Sequence, residues 1–195
     1  TVVTRGLALA LANRGIGAGV MKPIATGAIK RGNRLISYDA EFLMKAANRE
    51  EDLSLVNPYL STLPLAPEAA FRLEKKNISI KKIIDCFNKL KNRHELVLVE
   101  GIGGLLVPIK NDYLVADLIR DLDIPLIIVS SNKLGTINHT LLTLKQAQDY
   151  GCIVLGVIFN NTTKDGSIYQ KTNPGIIRKI SKVDVLGEMP YVKSL

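Results

Sequence analysis

The stretch Leu96-Val97-Leu98-Val99-Glu100-Gly101-Ile102-Gly103-Gly104 places a carboxylate and glycines directly after an apolar run. Such a run is typical of a strand buried on both faces of a parallel sheet, and open α/β sheets bind ligands beyond the carboxyl ends of these strands. Glycines let backbone N–H groups approach an anion, and a carboxylate holds a hard cation such as magnesium. The stretch therefore predicts a nucleotide-phosphate site, against the alternative of an ordinary strand end with a glycine turn.

The first residues of the chain predict a helix that begins at once. Thr1-Val2-Val3-Thr4 leads into an amphipathic segment that ends at Asn13-Arg14-Gly15, a glycine stop. In a Walker A motif the helix follows directly after the Ser or Thr that closes the loop. We therefore expect Thr1 to be that residue, with the first strand and the phosphate loop lying before residue 1.

Composition favours one globular domain over residues 1–195, since the chain is 47% hydrophobic and 23% charged. No apolar run reaches the length of about 18 residues that a membrane span needs. Cys86 and Cys152 fall in different predicted elements, so we expect neither a disulfide framework nor a zinc site. A reducing, cytoplasmic compartment is the corresponding expectation.

A formal charge of +8 raises the possibility of nucleic-acid binding. Many of the basic residues fall in one stretch, and we expect them to form the solvated face of a helix that packs through isoleucine, phenylalanine and leucine. Aromatic residues make up 5% of the chain, too few for a stacking platform, so we expect no nucleic-acid partner. The basic residues of this stretch are Lys75, Lys76, Lys81, Lys82, Lys89, Lys91 and Arg93.

Strand and helix patterns alternate along the chain. The predicted strands are residues 18–24, 96–99, 126–129, 153–159 and 183–187. The predicted helices are residues 39–47, 79–91, 114–120, 136–150 and 174–180. Residues 48–72 are predicted to be irregular, because prolines break them into short pieces. The alternation predicts an α/β fold with a doubly wound, mostly parallel sheet and helices on both of its faces.

Further polar groups follow the predicted strands. Lys22 and Thr26 close the first strand, Asn160 and Asn161 close another, and the helix that starts at Thr136 offers free N–H groups to an anion. An asparagine amide is able to pair with N6 and N7 of adenine. The alternatives are a surface lysine, an asparagine turn and a helix cap. Only their joint position at strand ends favours a ligand site.

Five segments occur in a fixed order along nearly the whole chain: Lys22-Pro23-Ile24-Ala25-Thr26-Gly27, Val56-Asn57-Pro58-Tyr59, Val99-Glu100-Gly101-Ile102-Gly103-Gly104, Asn132-Lys133-Leu134-Gly135-Thr136-Ile137-Asn138-His139 and Gly187-Glu188-Met189-Pro190. Together they resemble the dethiobiotin synthetase family. The resemblance implies a P-loop NTPase fold, a homodimer and a cytoplasmic enzyme of biotin biosynthesis. It also implies that 7,8-diaminononanoate, carbon dioxide and ATP react, with magnesium, to give dethiobiotin through a carbamate and a carbamic-phosphoric anhydride.

The resemblance also implies roles for individual residues. Lys22 matches the catalytic lysine, and Thr1, Asp39 and Glu100 match the magnesium ligands beside the nucleotide. Further nucleotide contacts fall on Gly101, Ile102, Gly103, Asn160, Asn161, Pro190, Tyr191 and Val192. Substrate contacts fall on Thr26 and on Leu134, Gly135, Thr136, Ile137 and Asn138, a helix start that receives the substrate carboxylate from the neighbouring subunit.

The sequence departs from the family pattern at both ends. The phosphate loop is not in the sequence, and the chain stops soon after Pro190, where family members usually continue. We therefore expect the domain to be truncated at its N-terminus and also at its C-terminus, and the fragment to be inactive by itself. His94 and His139 are expected to be structural or capping residues, because the chemistry needs no nucleophilic or general-base side chain.

Two alternative functions remain open at this point. One is a related P-loop amidoligase resembling the synthetase domain of cobyrinate diamide synthases, which usually carry a glutaminase domain as well. The other is a regulatory ATPase of the type that positions chromosomes and septa. Fold alone does not separate these functions.

Overall fold

The computed structural model describes residues 1–47, 51–164, 166 and 168–192. The contacts within the chain divide it into two compact units, Thr1–Leu122 and Asp123–Leu195. The single domain expected from composition remains a prediction. Within the described residues, no helix has the length and apolar character needed to cross a membrane.

The first unit contains helices and short strands in alternation. Its helices are α1 (Val2–Ala12), α2 (Tyr38–Ala47), α3 (Leu53–Val56), α4 (Pro67–Leu73), α5 (Ile80–Lys91) and α6 (Val115–Asp121). Its strands are β1 (Ala18–Met21), β2 (Ile24–Ala25), β3 (Ile29–Arg31), β4 (Arg34–Ile36), β5 (Tyr59–Leu60), β6 (Leu96–Val99), β7 (Pro108–Lys110) and β8 (Tyr113–Leu114).

The parallel pair of β1 and β6 positions the site. Ala18 is opposite Leu96 and Met21 is opposite Val99, so the two strands run in register to their carboxyl ends. The Glu100 N–H then donates to the Met21 carbonyl at 2.8 Å. Residues 22 and 100, the first after each strand, are consequently held side by side.

The predicted strand over residues 18–24 is two strands in the structure. At Lys22 the backbone N–H donates to the Val56 carbonyl at 2.8 Å, and Pro23 has no N–H to continue a ladder. After this break β2 pairs in parallel with β5. The apolar pattern did not reveal the change of partner, because both halves of the stretch are buried.

Helices α1 and α2 pack over β1 through a cluster of small and branched side chains. Its buried members are Ala8, Val20, Ala40, Leu43, Ala46, Ala47 and Val56. The predicted stop of the first helix is confirmed: α1 ends at Ala12, and Gly15 takes a φ of +76°, which glycine adopts without strain.

The stretch predicted to be irregular contains more order than expected. Its first residues, 48–50, lie outside the described part of the chain, and the rest forms α3, β5 and α4. Asp52 caps α3 by accepting from the Ser54 N–H at 2.8 Å, and Pro67 is the first residue of α4. A proline at the first helical position needs no N–H, so it starts this helix rather than breaking it.

Helix α5 has the solvated lysine face that its sequence predicts. Lys81, Lys82 and Lys89 are exposed, whereas the side chains of Ile83 and Leu90 are fully buried. The assignment of Arg93 to this helix was wrong, since α5 ends at Lys91. The assignment of Lys75 and Lys76 to it was also wrong. They follow the end of α4, and Lys75 takes a left-handed φ of 53° there.

The second unit is a three-stranded parallel sheet with two helices. Its elements are β9 (Leu126–Ser131), α7 (Thr136–Asp149), β10 (Val154–Asn160), α8 (Ile168–Ser181) and β11 (Val185–Met189). The strand order is β11-β10-β9, with parallel pairing throughout. Its buried core is Ile128, Leu144, Val157, Phe159 and Ile177. These parallel pairs confirm the predicted α/β fold class, to which the structure adds the antiparallel hairpins β3–β4 and β7–β8.

Helix α8 begins earlier than predicted. The sequence suggested a start at Pro174, but the helix starts at Ile168 and contains Pro174 in its interior. Gln170 and Asn173, which precede the proline, are buried. Their hydrogen bonds to the loop after β9 favour the early helical turns. Two polar residues add nothing to the apolar periodicity from which a helix is predicted, so the sequence did not indicate these turns.

Candidate active site

Four polar side chains meet at the carboxyl ends of β1 and β6. Lys22 follows β1, Glu100 follows β6, Asp39 lies in the first turn of α2, and Thr1 is the residue before α1. Their mutual N–O and O–O distances range from 2.8 to 3.8 Å. The first unit thus brings together the predicted catalytic lysine and all three predicted metal ligands.

The Lys22 side chain points into the protein. The residue is 5% exposed, so the alternative of a surface lysine is wrong. Its ammonium donates to Glu100 Oε1 at 2.9 Å and to the Gly101 carbonyl at 2.7 Å, and it lies 3.8 Å from Asp39 Oδ2. An ammonium has three N–H donors, and these two acceptors occupy two of them.

The Thr1 hydroxyl lies between the two carboxylates. Its Oγ1 is 2.9 Å from Asp39 Oδ1 and 2.8 Å from Glu100 Oε1. A hydroxyl has a single proton to donate, so it satisfies only one of these oxygens at a time. The hydroxyl and the two carboxylates therefore place three hard oxygen ligands close together. This arrangement suits a small divalent cation.

Glu100 is the more buried of the two carboxylates. Its Oε2 makes no hydrogen bond to the described residues, and the Thr1 backbone nitrogen lies 3.2 Å away. Burial would raise the pKa of the Glu100 carboxyl, but the Lys22 ammonium and the hydrogen bonds from Lys22 and Thr1 outweigh it and hold the pKa below its usual range. Glu100 is thus an anion at neutral pH.

Asp39 is open to solvent on one side. Its side chain is 47% exposed and lies in the wall of a pocket of about 320 Å³. Thr1, Tyr38, Phe42 and Lys45 also line this pocket. A ligand has access to Asp39 and Thr1 from this side.

The glycine segment after Glu100 forms a turn. Gly103 takes a φ of +65°, and a Cβ at this position would lie 2.7 Å from Val107 Cγ2. Both features require glycine. The backbone of Gly101 already contacts the site through its carbonyl, whereas Ile102 is half-buried and Gly103 is exposed.

Thr26 lies between β2 and β3 and is half-buried. The next residue, Gly27, takes a φ of +72° and donates its N–H to the Leu63 carbonyl at 3.1 Å. The turn is thus fixed to the segment before α4. Its substrate role remains a prediction.

The second unit holds the residues that the resemblance assigns to the adenine pocket. Asn160 ends β10 opposite Met189, and the Asn161 N–H donates to the Met189 carbonyl at 3.0 Å. This pairing brings Asn160 and Asn161 close to the chain that continues into Pro190, Tyr191 and Val192, all three of which are exposed. The Asn161 Oδ1 is buried and has no hydrogen-bond partner in the described part of the chain.

The start of α7 is only partly available to a ligand. Leu134 is 85% exposed, Gly135 takes a φ of 88° at the cap, and Asn138 is exposed, while Ile137 is half-buried. The Thr136 hydroxyl instead points inward, where it lies 2.6 Å from Ser130 Oγ. A ligand at this helix start would therefore meet backbone N–H groups rather than that hydroxyl.

Sequence reasoning quoted Asn57 within a motif but assigned it no role. In the structure its side-chain amide donates to the Lys22 carbonyl at 2.6 Å. The sequence signal was the motif Val56-Asn57-Pro58-Tyr59 itself, but the contact joins residues 35 positions apart and has no local signature.

The structural or capping role of His94 and His139 stays a prediction, and the surroundings of the two side chains differ. His94 has a 6% exposed side chain with Nε2 3.0 Å from Glu51 Oε1, and its ring fills the space beside Gly19. His139 is exposed and donates its backbone N–H to the Gly135 carbonyl at 3.3 Å.

The fold and the comparisons place the chain in the P-loop NTPase class of folds. A protein-family model described as an AAA domain matches residues 1–195. A ParA family ATPase from Chlorobium tepidum TLS has a similar fold, with a TM-score of 0.55 and 17% identity over 97% of this chain and 76% of that chain. At this identity the likeness concerns the fold alone.

Two curated relatives identify the family within this class. The ATP-dependent dethiobiotin synthetase BioD of Nitrosopumilus maritimus is 37% identical over 196 residues, covering 100% of this chain and 85% of that protein. The enzyme of the same name from Bacillus subtilis is 34% identical over 195 residues, covering 100% of this chain and 83% of that protein. The chain belongs to the ATP-dependent dethiobiotin synthetase family.

The lowered pKa of Glu100 predicts a specific pH dependence of stability. Because the folded-state pKa lies below the unfolded value, the ionised carboxyl stabilises the fold above about pH 4.3, and this contribution is lost as the pH falls through the folded pKa. Glu100→Gln has no such proton to bind. In urea unfolding, the stability difference between the wild type and this variant is expected to be largest near neutral pH and to shrink below about pH 4.

The exposed Asp112 supplies the control, since Asp112→Asn removes a carboxylate outside the site. The difference in unfolding free energy between Asp112→Asn and the wild type should change little over the same range of pH. A Glu100→Gln difference that stayed constant down to about pH 3 would contradict the assignment of Glu100 as a group with a lowered pKa.

Proposed function

We propose that this protein closes the ureido ring of dethiobiotin from 7,8-diaminononanoate and carbon dioxide at the expense of ATP. The observation that carries the proposal is the convergence of Lys22, Asp39, Glu100 and Thr1 at the carboxyl ends of β1 and β6. Family membership over the whole chain supports the same reaction.

The reaction consists of three bond-forming steps. A substrate amine adds to carbon dioxide and loses a proton, giving a carbamate. A carbamate oxygen attacks the γ-phosphorus of ATP, and the bond to ADP breaks. The second amine then attacks the carbonyl carbon of the mixed anhydride and loses a proton, expelling inorganic phosphate and closing the cyclic urea. Negative charge accumulates at the carbamate and the transferred phosphoryl group, so positioning and charge neutralisation are the main contributions of the protein.

Lys22 is the group that we assign to this charge. Its ammonium is already desolvated and fixed by Glu100 and Gly101, so it needs little reorganisation when charge develops. Two N–H donors are engaged, and within the described residues the next carboxylate oxygen, Asp39 Oδ2, is beyond hydrogen-bond distance at 3.8 Å. One donor is therefore available for a carbamate or phosphoryl oxygen.

Thr1, Asp39 and Glu100 are the residues that we propose to hold magnesium. Their grouped oxygens fit a hard cation, and Glu100 Oε2 is a buried acceptor without a hydrogen bond in the described structure. When bound, magnesium supplies positive charge to the phosphates during phosphoryl transfer. Glu100 thereby contacts both the proposed cation site and the Lys22 ammonium.

The proposed nucleotide site continues with Gly101, Ile102 and Gly103 in the first unit. In the second unit the adenine is assigned to Asn160 and Asn161 with Pro190, Tyr191 and Val192. The buried Asn161 Oδ1 is an acceptor suited to the exocyclic amine of adenine. Because ATP is the co-substrate, we propose a cytoplasmic location.

The diaminononanoate is assigned to Thr26 at its diamine end and to the start of α7 at its carboxylate end. Residues 134–138 offer an exposed loop and helix start with no acidic residue in the first turn, which favours an anion. Following the family resemblance, we propose that this carboxylate comes from a substrate in the neighbouring subunit of a homodimer. Sedimentation velocity of the full-length protein should give a dimer, and a fully active strict monomer would contradict the arrangement.

Replacement of Lys22 tests the proposed chemistry most directly. In the full-length protein, Lys22→Ala should lower the rate of dethiobiotin formation at saturating substrates by about 10² to 10³, because it removes a preorganised charge aimed at the developing anion. The dissociation constant for ATP, measured by calorimetry, should change by less than about threefold, since the interaction that is lost is made mainly in the transition state.

Lys30→Ala is the matched control, because Lys30 is an exposed lysine on β3. Its turnover should equal that of the wild type. Near-normal turnover of Lys22→Ala would reject the catalytic role. A loss of ATP affinity with unchanged turnover would instead assign Lys22 to ground-state nucleotide binding.

The proposed cation site predicts a changed magnesium requirement. Glu100→Gln and Asp39→Asn each keep the side-chain shape and remove one negative charge. The magnesium concentration for half-maximal ring closure should rise by at least about tenfold, which corresponds to roughly 1.4 kcal/mol of binding free energy. Asp85→Asn on α5 removes one negative charge from a surface pair with Lys81, so it should leave the requirement unchanged. An unaltered magnesium titration for both site variants would remove these residues from the cation site.

A further inference from the structure

The backbone of Lys22 is held on both sides by one short segment of the chain. Its N–H donates to the Val56 carbonyl at 2.8 Å, and its carbonyl accepts from the Asn57 side-chain amide at 2.6 Å. The same amide nitrogen lies 3.3 Å from the Tyr59 carbonyl. Asn57 is 3% exposed, so water does not compete for these contacts.

The position of this contact explains why it is needed. Lys22 falls at the break between two strands, after the last β1–β6 pair at Met21 and before the first β2–β5 pair at Ile24. A backbone carbonyl at such a break has no ladder partner, and a buried carbonyl without a donor is destabilising. The Asn57 side chain supplies the donor that the sheet does not.

The amide group suits this role better than related side chains. Its two N–H donors face two carbonyls, whereas its Oδ1 is buried with no hydrogen-bond partner among the described residues. A carboxylate at position 57 would oppose two carbonyl oxygens, and an apolar side chain would remove the donor to the Lys22 carbonyl. The chain thus retains an unsatisfied acceptor while it fixes the Lys22 carbonyl.

From these contacts we infer that Asn57 is a positioning residue for Lys22. It fixes the backbone turn from which the lysine side chain reaches Glu100 Oε1 and the Gly101 carbonyl. A long side chain amplifies small changes of its backbone, and a displacement of about 1 Å in a catalytic group costs on the order of 100-fold in rate. Asn57 thereby acts on the reaction through Lys22 and touches no reacting atom. This inference rests on the function proposed above.

A double-mutant cycle in the full-length protein separates positioning from a purely structural role. Asn57→Ala should lower kcat for dethiobiotin formation by about tenfold per folded molecule, with KM for ATP changed less than about twofold. In the Lys22→Ala background the same substitution should change the residual rate by less than about twofold, because the group that it positions is gone. A structural role would give the same rate loss in both backgrounds.

Ile109→Ala is the matched control for stability. Ile109 is 1% exposed on β7, and the hydrogen bonds that hold the Lys22 backbone come from Val56 and Asn57 instead. It should lower the melting temperature without the kcat loss. Asn57→Ser, a smaller change, replaces Asn57→Ala if the latter does not fold, and is expected to show the same pattern.

The outcomes separate this inference from the proposed function. A wild-type protein that forms no dethiobiotin would overturn both. If the wild type is active and Lys22→Ala is impaired, three results would overturn the role of Asn57 alone. These are an unchanged kcat for Asn57→Ala, an equal loss in both backgrounds, and failure of both Asn57 variants to fold under conditions where Ile109→Ala folds.

Discussion

The buried ion pair between Lys22 and Glu100 is the interaction on which the site depends. The two side chains are 7% and 10% exposed, and each charge would be costly in that environment without the other. A buried ion pair often adds little to the free energy of folding, because apolar side chains of similar volume often give an equally stable fold. What the pair supplies here is a desolvated, oriented ammonium together with a carboxylate that stays ionised. Those are properties that phosphoryl transfer uses and that an apolar pair lacks.

The geometry of the pair follows from strand register. Because Met21 is opposite Val99, the next residue on each strand projects from the same edge of the sheet, and Lys22 and Glu100 meet without any special loop. A shift of one residue would move every side chain of the strand to its other face and separate the pair. The cluster of Val20, Leu43 and Val56, with Leu98 packed against it, resists such a shift, so ordinary core packing fixes the position of the charged groups.

The sequence revealed the parts of this arrangement that have a local pattern. The apolar run before Glu100, the glycines after it and the amphipathic start at Thr1 all predicted elements that the structure contains. It did not reveal the break at Lys22, since the residues on both sides of it are buried and apolar. It also missed the first turns of α8, where Asn173 is ordered by the Asn132 amide 41 positions away, and the role of Asn57. Contacts of polar side chains across such separations leave no periodicity in the sequence.

The N–H donors of the Lys22 ammonium bear on whether a protein with this fold acts as a ligase or as a regulatory ATPase. A likeness of 17% identity to a ParA family ATPase concerns architecture, and fold does not decide between a ligase and a regulatory ATPase. Buried polar groups generally have hydrogen-bond partners, and a lysine ammonium has three donors to engage. Here two are satisfied and the third has no acceptor within hydrogen-bond distance in the described structure. Because an ammonium is a compact charge with rotatable donors, it is able to keep its hold on Glu100 and Gly101 while it follows an oxygen that changes from carbamate to anhydride. A regulatory ATPase forms no such intermediate, so this use of the Lys22 ammonium belongs to the ring closure that we propose.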